Sequence, residues 1–200
     1  MVVGDWELEL ETLIKSGQPV IQLTSYEWQR VHAKLAEIST RIDYPVYIWS
    51  SAFGLRRMDK ECNIIDETGS LNDPIDLLTS YHQDEKYSPS ILILEDFHPY
   101  LEASNFPVIR WIREFTRLPK SANKHIILFS PFVDLPSELQ KDVPVIDIPY
   151  PDVQILRQML EFVAAEYSLS ERHGEVSFQD SLLEAGLGLT IMEAKRAFSK

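Results

Sequence analysis

Cysteine is nearly absent from this chain, and the sequence also lacks the patterns of membrane and secreted proteins. The single cysteine, Cys62, excludes an intrachain disulfide and a zinc site built from several cysteines of this chain. No apolar run approaches the roughly 20 residues of a membrane-spanning helix. The start, Met-Val-Val-Gly-Asp, has no basic residue and no long apolar stretch, so no secretory signal is evident. These absences favour a cytoplasmic protein.

Glycine is scarce, and none of the seven glycines is followed by lysine. This excludes the loop G-x-x-x-x-G-K-[ST], whose backbone amides and lysine hold nucleotide phosphates. Where such a loop would follow the first predicted strand, the chain reads TSYEWQR from Thr24 to Arg30, with neither glycine nor lysine. We therefore predict that this chain neither binds ATP with useful affinity nor hydrolyses it.

Positive charge is in the minority, since the formal net charge is −12. So acidic a surface repels phosphate backbones and anionic lipids, and we expect neither a nucleic-acid nor a membrane partner. Against this background Arg110, Arg113 and Arg117 recur at steps of three and four within a predicted helix over residues 106–118. They are candidates for contact with an acidic protein partner or a neighbouring subunit. The alternative is a solvent-exposed helix face.

What the chain does have is an alternation of apolar strands and amphipathic helices. Two strand patterns, Ile91–Leu94 and Ile126–Phe129, are apolar throughout, which is typical of a mostly parallel sheet with helices on both faces. After Pro151 no strand pattern returns, and only helices are predicted. We predict a five-stranded α/β core of the P-loop NTPase type over residues 1–150 and a small helical lid over 151–200. The five strands are predicted at residues 20–23, 46–49, 91–94, 126–129 and 145–148.

Two predicted helix starts carry specific signals. Thr24 and Glu27 have the spacing of a capping box, and Asp73 followed by Pro74 resembles an N-cap with proline at the first helical position. Both pairs therefore predict the start of a helix.

The aromatic residues after the first strand differ in their predicted burial. Trp28 falls on the apolar stripe of the helix and is predicted to lie in the core, whereas Tyr26 is predicted to be exposed. The stretch after the second strand, with Arg56 and Arg57, is predicted to be a polar connection.

Two carboxylates, Glu95 and Asp96, end the apolar strand at residues 91–94. The Walker B element of ATPases ends in a similar pair, usually Asp then Glu, which organises magnesium and the attacking water. If this chain bound Mg-ATP by a divergent route, Glu95, Asp96 and Ser130 would be the nucleotide and magnesium residues. The simpler interpretation is a structural pair of strand-end carboxylates. His98 could join Asp96 at a metal, but the local sequence offers no third ligand.

Two further classes are disfavoured by the residues themselves. Ser130, His98 and Asp96 could be imagined as a hydrolase triad, but there is no G-x-S-x-G motif and Pro131 follows the serine directly. A receiver-like signalling domain also has an acidic strand end. However, the first strand here ends in Thr24 and Ser25 instead of the acidic pair of such domains.

The order of these elements resembles an AAA-type ATPase core. In that family a segment with proline and aspartate joins the core to a helical lid, and Pro149-Tyr150-Pro151-Asp152 is similar to it. Ser130 stands at the position of the first sensor residue. The segment EAGLGLTIMEAKRAF, residues 184–198, resembles the lid before its last helix. The resemblance thus implies that residue 200 lies in or just after the lid, as in a fragment of a longer parent protein.

More closely, the chain resembles the amino-terminal half of the uncharacterised AAA proteins of cyanobacteria and algal plastids. The segments TSYEWQRV, VYIWSSAFGL, ILILEDFHPYL and LPSELQKDVPVIDIPYPD carry this likeness over nearly the whole chain. In that family a degenerate first module precedes a second module with an intact P-loop, which supplies the ATPase activity. The resemblance implies a downstream AAA module as partner, an oligomer in the parent protein, and a location in the plastid stroma if the gene is plastid-encoded.

Three departures from active AAA modules argue against catalysis by this chain. The P-loop is absent, the acids occur in the order Glu95-Asp96, and only Lys141 is basic between Ser130 and Val145, where an arginine finger is expected. We therefore predict a non-catalytic regulatory or partner-binding module without a cofactor. The alternative is a divergent magnesium-dependent ATP-binding domain that uses Glu95 and Asp96.

Overall fold

The computed structural model describes residues 6–66, 71–166 and 180–199, which fall into two compact units that meet in sequence between Ile148 and Pro149. The first unit is built on one sheet of seven strands. In chain order these are β1 (Val20–Thr24), β2 (Val46–Ser50), β3 (Gly54–Met58), β4 (Ile64–Asp66), β5 (Ser90–Glu95), β6 (Lys124–Ser130) and β7 (Val145–Asp147). Their order across the sheet is β4-β3-β2-β5-β6-β1-β7.

Four α-helices accompany the sheet in the first unit, and the second unit is described by three. The former are α1 (Trp6–Lys15), α2 (Trp28–Ile42), α3 (Pro74–Gln83) and α4 (Phe106–Phe115). The latter are α5 (Val153–Glu166), α6 (Asp180–Ala185) and α7 (Ile191–Phe198). None of the helices among the described residues is long and apolar enough to cross a membrane.

Five of the seven strands run parallel, which confirms the predicted α/β sheet. The expected number of five strands was wrong, because β3 and β4 extend the sheet beyond β2 as antiparallel strands. Both lie in the stretch that was predicted to be a polar connection. A strand near a sheet edge can keep polar side chains in solvent, and β3 does so with Arg57, which is exposed. The apolar pattern on which the prediction depended is therefore weak there.

The core lies in two layers, one on each face of the sheet. Alternate residues of β5 enter opposite layers, since Leu92 and Leu94 pack with residues of α3 and α4 while Ile91 and Ile93 pack with residues of α1 and α2. Successive side chains of a strand point to opposite faces, so a strand buried on both sides must be apolar throughout. This confirms the predicted cover of helices on both faces.

Of the two predicted helix starts, the structure confirms one and contradicts the other. The Asp73 carboxylate accepts hydrogen bonds from the amides of Ile75 and Asp76, so the predicted cap of α3 is confirmed. The capping box at Thr24 and Glu27 is wrong. Thr24 remains in β1 and donates its hydroxyl to the Ile146 carbonyl at 3.2 Å. The backbone hydrogen bonds to β6 and β7 hold Thr24 in the sheet, and α2 begins only after Glu27.

The second unit is helical where it is described. Four apolar side chains, Leu156, Leu160, Leu183 and Ala194, form its own buried cluster. The last helix, α7, begins with a complete capping box, in which Thr190 and Glu193 exchange side-chain and backbone hydrogen bonds. The predicted start of α6 near residue 178 lies outside the described residues.

Candidate functional site

The five parallel strands end at the same edge of the sheet, and a cleft of about 510 Å³ opens there. Ligands of parallel α/β sheets bind at this edge, beyond the carboxyl ends of the strands. The polar residues that line the cleft include His32, Ser50, Arg56, Glu95 and Asp96, and the aromatic ones include Tyr26 and Trp28. This cleft is the candidate functional site.

The turn from β1 to α2 occupies the position that a phosphate-binding loop would have, and it is only three residues long. Two of its amides are already used, because the Ser25 amide donates to the Ser130 carbonyl at 3.1 Å and the Glu27 amide to the Ser25 hydroxyl at 3.0 Å. A phosphate cradle needs several backbone amides that point at the ligand. This turn is too short, and its amides too engaged, to form one.

Two aromatic side chains from this turn and from the start of α2 line the cleft. Tyr26 is 59% exposed, as predicted, and Trp28 is 49% exposed, so the prediction that Trp28 lies in the core was wrong. Trp28 is the first residue of α2, and at this end of the helix it reaches past the sheet edge. The position of Trp28 in the sequence fits the apolar stripe of α2. However, the first turn of this helix lies at the edge of the sheet, where the described part of the chain covers the indole ring only in part.

The buried wall of the cleft is a contact between α2 and the end of β5. Nε2 of His32 lies 2.9 Å from Oε1 of Glu95, and the His32 side chain is only 6% exposed. The two groups are close without the alignment of a hydrogen bond, so Nε2 has no hydrogen-bond partner among the described residues. Trp28 lies one helical turn before His32, and its ring contacts the imidazole edge-on at 5.4 Å.

The second carboxylate, Asp96, follows β5 with a backbone φ of 48°. This left-handed conformation is uncommon outside glycine, although aspartate tolerates it better than most residues. Its amide donates to the Phe129 carbonyl at 2.9 Å, which fixes the residue directly after the strand. The structure therefore brings Glu95 and Asp96 together on the cleft, with Asp96 exposed and Glu95 partly buried.

Ser130, the third residue of the alternative nucleotide site, is buried and committed to other contacts. Its hydroxyl donates to the Phe132 carbonyl at 2.6 Å and accepts from Nε2 of Gln22 at 3.0 Å. Because the hydroxyl proton is already given to a carbonyl, Ser130 is not arranged as a nucleophile. It is not among the residues that line the cleft.

His98, considered as a metal ligand beside Asp96, packs its ring edge-on against Phe132 at 4.6 Å. Within residues 6–66, 71–166 and 180–199, no three or more histidine, cysteine or acidic side chains are arranged to hold a metal ion.

His32 and Ser50 were not predicted as site residues, and Arg56 was considered only as a possible addition to the arginine row, whereas it lines the cleft. The side-chain oxygen of Ser50, like Nε of Arg56, is buried and has no hydrogen-bond partner in the described part of the chain. The Arg56 guanidinium lies over the Phe53 ring at 4.5 Å. His32 could have been found from its spacing of four after Trp28, but Ser50 and Arg56 line the same cleft only because β3 folds back on β2.

The arginine row lies away from the cleft, and only Arg110 and Arg113 belong to α4. The helix ends at Phe115, earlier than the predicted residue 118, so Arg117 lies in the turn that follows it. Arg110 and Arg117 are exposed, and both form ion pairs with Glu114, in the case of Arg117 at 3.5 Å. Arg113 is half-buried, and its Nε has no hydrogen-bond partner among the described residues. Glu114 therefore offsets part of the positive charge of the row.

Comparison with protein families gives a match over most of the first unit. A family model described as the N-terminal domain of SpoVK-like AAA ATPases matches residues 6–148. An uncharacterized AAA domain-containing protein, ycf46, of Trieres chinensis is 24% identical over 193 residues, which cover 96% of this chain and 37% of the relative. The ycf46 protein of Pyropia yezoensis is 22% identical over the same shares. The chain thus spans little more than a third of the length of these relatives.

Two solved structures have a similar fold. A katanin structure, concerned with katanin self-assembly, superposes with a TM-score of 0.59 at 14% identity and covers 97% of this chain and 65% of its own. The AAA domain of FIGL-1 in complex with ADP gives a TM-score of 0.57 at 8% identity, with 92% and 59% covered. At such identities the likeness concerns the fold alone, which is that of an AAA domain.

Proposed function

This chain belongs to the family of SpoVK-like AAA ATPase N-terminal domains, and from that premise we propose that it is a non-catalytic, partner-binding module of a larger AAA protein. The observation that supports this proposal is the three-residue turn from β1 to α2. The P-loop motif has eight residues after the strand, and two of these are glycines and one is a lysine. Here Ser25, Tyr26 and Glu27 stand in that place and supply no lysine.

The electrostatics of the cleft also favour a role without ATP. Glu95 and Asp96 face the space that phosphates would enter, and without a lysine only Arg56 among the lining residues carries a fixed positive charge. A nucleotide triphosphate brings several negative charges, which magnesium and lysine offset in active P-loop enzymes. A cleft with two carboxylates and no cradle therefore repels phosphates.

The relatives that the chain matches are much longer, and this supports a parent protein with a further module. We propose that such a downstream AAA module carries the ATPase activity and that this chain positions it or binds its partners. We also propose that the parent assembles into an oligomer, as the katanin structure concerns the self-assembly of that protein. The exposed residues Arg110 and Arg117 are the proposed contact for an acidic partner.

A phosphate-release assay with the purified chain, Mg²⁺ and ATP tests the lack of catalysis. The expected result is no turnover above that of the double variant Glu95→Gln with Asp96→Asn prepared in parallel, because no group is placed to hold the γ-phosphate. Asparagine keeps the left-handed backbone at position 96 accessible, so the double variant is a fair control for contaminating ATPases. Magnesium-dependent turnover that the double variant loses would favour the alternative, a divergent ATPase built on these two carboxylates.

A further inference from the structure

The side chains that line the cleft carry more negative than positive charge. Two of its lining residues, Glu95 and Asp96, are carboxylates, while its guanidinium, that of Arg56, lies over the Phe53 ring. The whole chain carries a net charge of −12, which adds to the attraction for a cation. The charge of the cleft therefore selects a positively charged group.

The aromatic residues of the cleft add a second feature that recognises a cation. Tyr26 is 59% exposed and Trp28 is 49% exposed. Faces of tyrosine and tryptophan attract guanidinium and ammonium groups, and exposed aromatic side chains are enriched at protein–protein contacts. Ile64, 38% exposed, also lines the cleft, so the surface around the carboxylates is apolar as well as acidic.

Unsatisfied polar atoms give the third feature. Two buried side-chain atoms of residues that line the cleft, Oγ of Ser50 and Nε of Arg56, have no hydrogen-bond partner among the described residues, while Nε2 of His32 faces the Glu95 carboxylate at 2.9 Å. Buried polar groups are nearly always paired, and Nε of arginine can only donate. The cleft therefore suits a ligand that offers hydrogen-bond acceptors as well as a positive charge.

A peptide with a basic side chain combines both properties, because its backbone carbonyls accept hydrogen bonds and its side chain carries the charge. A bare metal ion offers no acceptor, and a phosphate ester would meet two carboxylates. We propose that the cleft binds a basic segment of a protein partner, with an arginine or lysine side chain between the Glu95 and Asp96 carboxylates and the rings of Tyr26 and Trp28. This inference rests on the proposed partner-binding role and assigns it a surface and a class of partner.

The test uses the whole chain and two synthetic peptides. The first is acetyl-Gly-Leu-Arg-Leu-Gly-amide, and the second has citrulline in place of arginine, which keeps the shape of the side chain and removes its charge. Binding is followed by amide and indole chemical shifts in ¹⁵N-labelled protein at low ionic strength. We expect the arginine peptide to bind about tenfold or more tightly than the citrulline peptide, with shifts centred on Trp28 and Asp96, and salt to weaken it.

Variants of the chain localise the effect. The double variant Glu95→Gln with Asp96→Asn is expected to remove the preference for arginine over citrulline. The matched double variant Glu9→Gln with Glu85→Gln removes the same amount of charge from two exposed residues elsewhere. This variant is expected to retain the preference for arginine over citrulline. Trp28→Ala, at an exposed position that folding tolerates, is expected to weaken binding of the arginine peptide by about fivefold or more, as loss of a cation–π contact of about 1 kcal/mol predicts.

Three results would overturn the proposal: equal binding of both peptides, an arginine preference that persists in the Glu95/Asp96 variant, or shifts that centre on another surface. None of them would affect the proposed lack of catalysis, which the phosphate-release assay tests on its own. Conversely, ATP turnover would refute the proposed function even if the peptide bound.

Discussion

Lys124, the first residue of β6, carries a charge into a largely buried position. Its Nζ donates to the carbonyls of Tyr81, His82 and Asp84, at 2.9, 3.0 and 3.0 Å. These carbonyls lie at the end of α3 and just beyond it, where a helix leaves its last carbonyls without internal partners. Burial lowers the pKa of Lys124, and the three carbonyls replace the water that the ammonium group loses. Lys124 therefore ties the end of α3 to the central sheet.

We expect Lys124→Met to lower the free energy of unfolding by about 2–3 kcal/mol, because methionine keeps much of the stem but leaves three carbonyls without their donor. Urea unfolding followed by circular dichroism measures this change. Lys141→Met, at an exposed position, serves as the control and is expected to stay within about 0.5 kcal/mol of the original chain. If both variants lost the same small amount, the role assigned to Lys124 would be wrong.

Single residues were harder to predict from the sequence than the elements that contain them. Trp28 has the spacing of a core residue in α2, yet it is exposed because the helix begins beyond the edge of the sheet. Ile75 shows the same effect, since it lies in the first turn of α3 and is 36% exposed. Periodicity identifies the buried face of a helix, but it does not show where the neighbouring layer ends.

At the scale of elements, α4 and the turn after it carry a cluster of three arginines in an otherwise acidic chain. Arg110 and Arg117 are exposed and share Glu114, whereas Arg113 is half-buried. We expect the double variant Arg110→Glu with Arg117→Glu to fold and to lose association with acidic partners. The effect should fall mainly on the rate of association and increase its dependence on salt, because exposed charges act chiefly by steering. Arg113 is left unchanged, since its reversal would also disturb packing.

Pull-down from the native extract at two salt concentrations, with recovered proteins quantified by mass spectrometry, measures this effect. The control is Lys60→Glu with Lys141→Glu, which reverses two exposed lysines on other segments, one of them paired with Asp43 at 3.7 Å. Lys34 does not serve this purpose, because its side chain is only 12% exposed and bridges Glu7 and Glu37. Recovery of the same partners by both double variants would mean that the row is only a solvent-exposed helix face.

The central elements could be predicted because burial on both faces leaves an unambiguous pattern. β5 and β6 are apolar over four consecutive residues, and a strand with a helical layer on either side has no polar face to interrupt that run. The hairpin of β3 and β4 could not be predicted from the sequence, because strands near the edge of a sheet tolerate polar residues such as Arg57.

At the scale of the whole molecule, the fold and the family were predictable, but most of the cleft was not. The order of strands and helices and the acidic end of β5 led to the AAA family, which the match over residues 6–148 confirms. His32, Ser50 and Arg56 come together from α2, β2 and β3, so only the topology of the sheet brings them to one place. Sequence motifs consist of residues that are close together along the chain, whereas the residues of this cleft come from segments that are far apart in the sequence.

For the whole molecule we propose an AAA-type sheet that has its carboxyl-edge cleft but no phosphate cradle beside it. Isothermal titration calorimetry of the purified chain with MgATP tests this most directly. The account predicts no heat beyond dilution up to millimolar ATP, because the turn at Ser25–Glu27 offers neither a lysine nor a set of open amides to the phosphates. A saturable, magnesium-dependent isotherm with a micromolar Kd, lost in the double variant Glu95→Gln with Asp96→Asn, would contradict it.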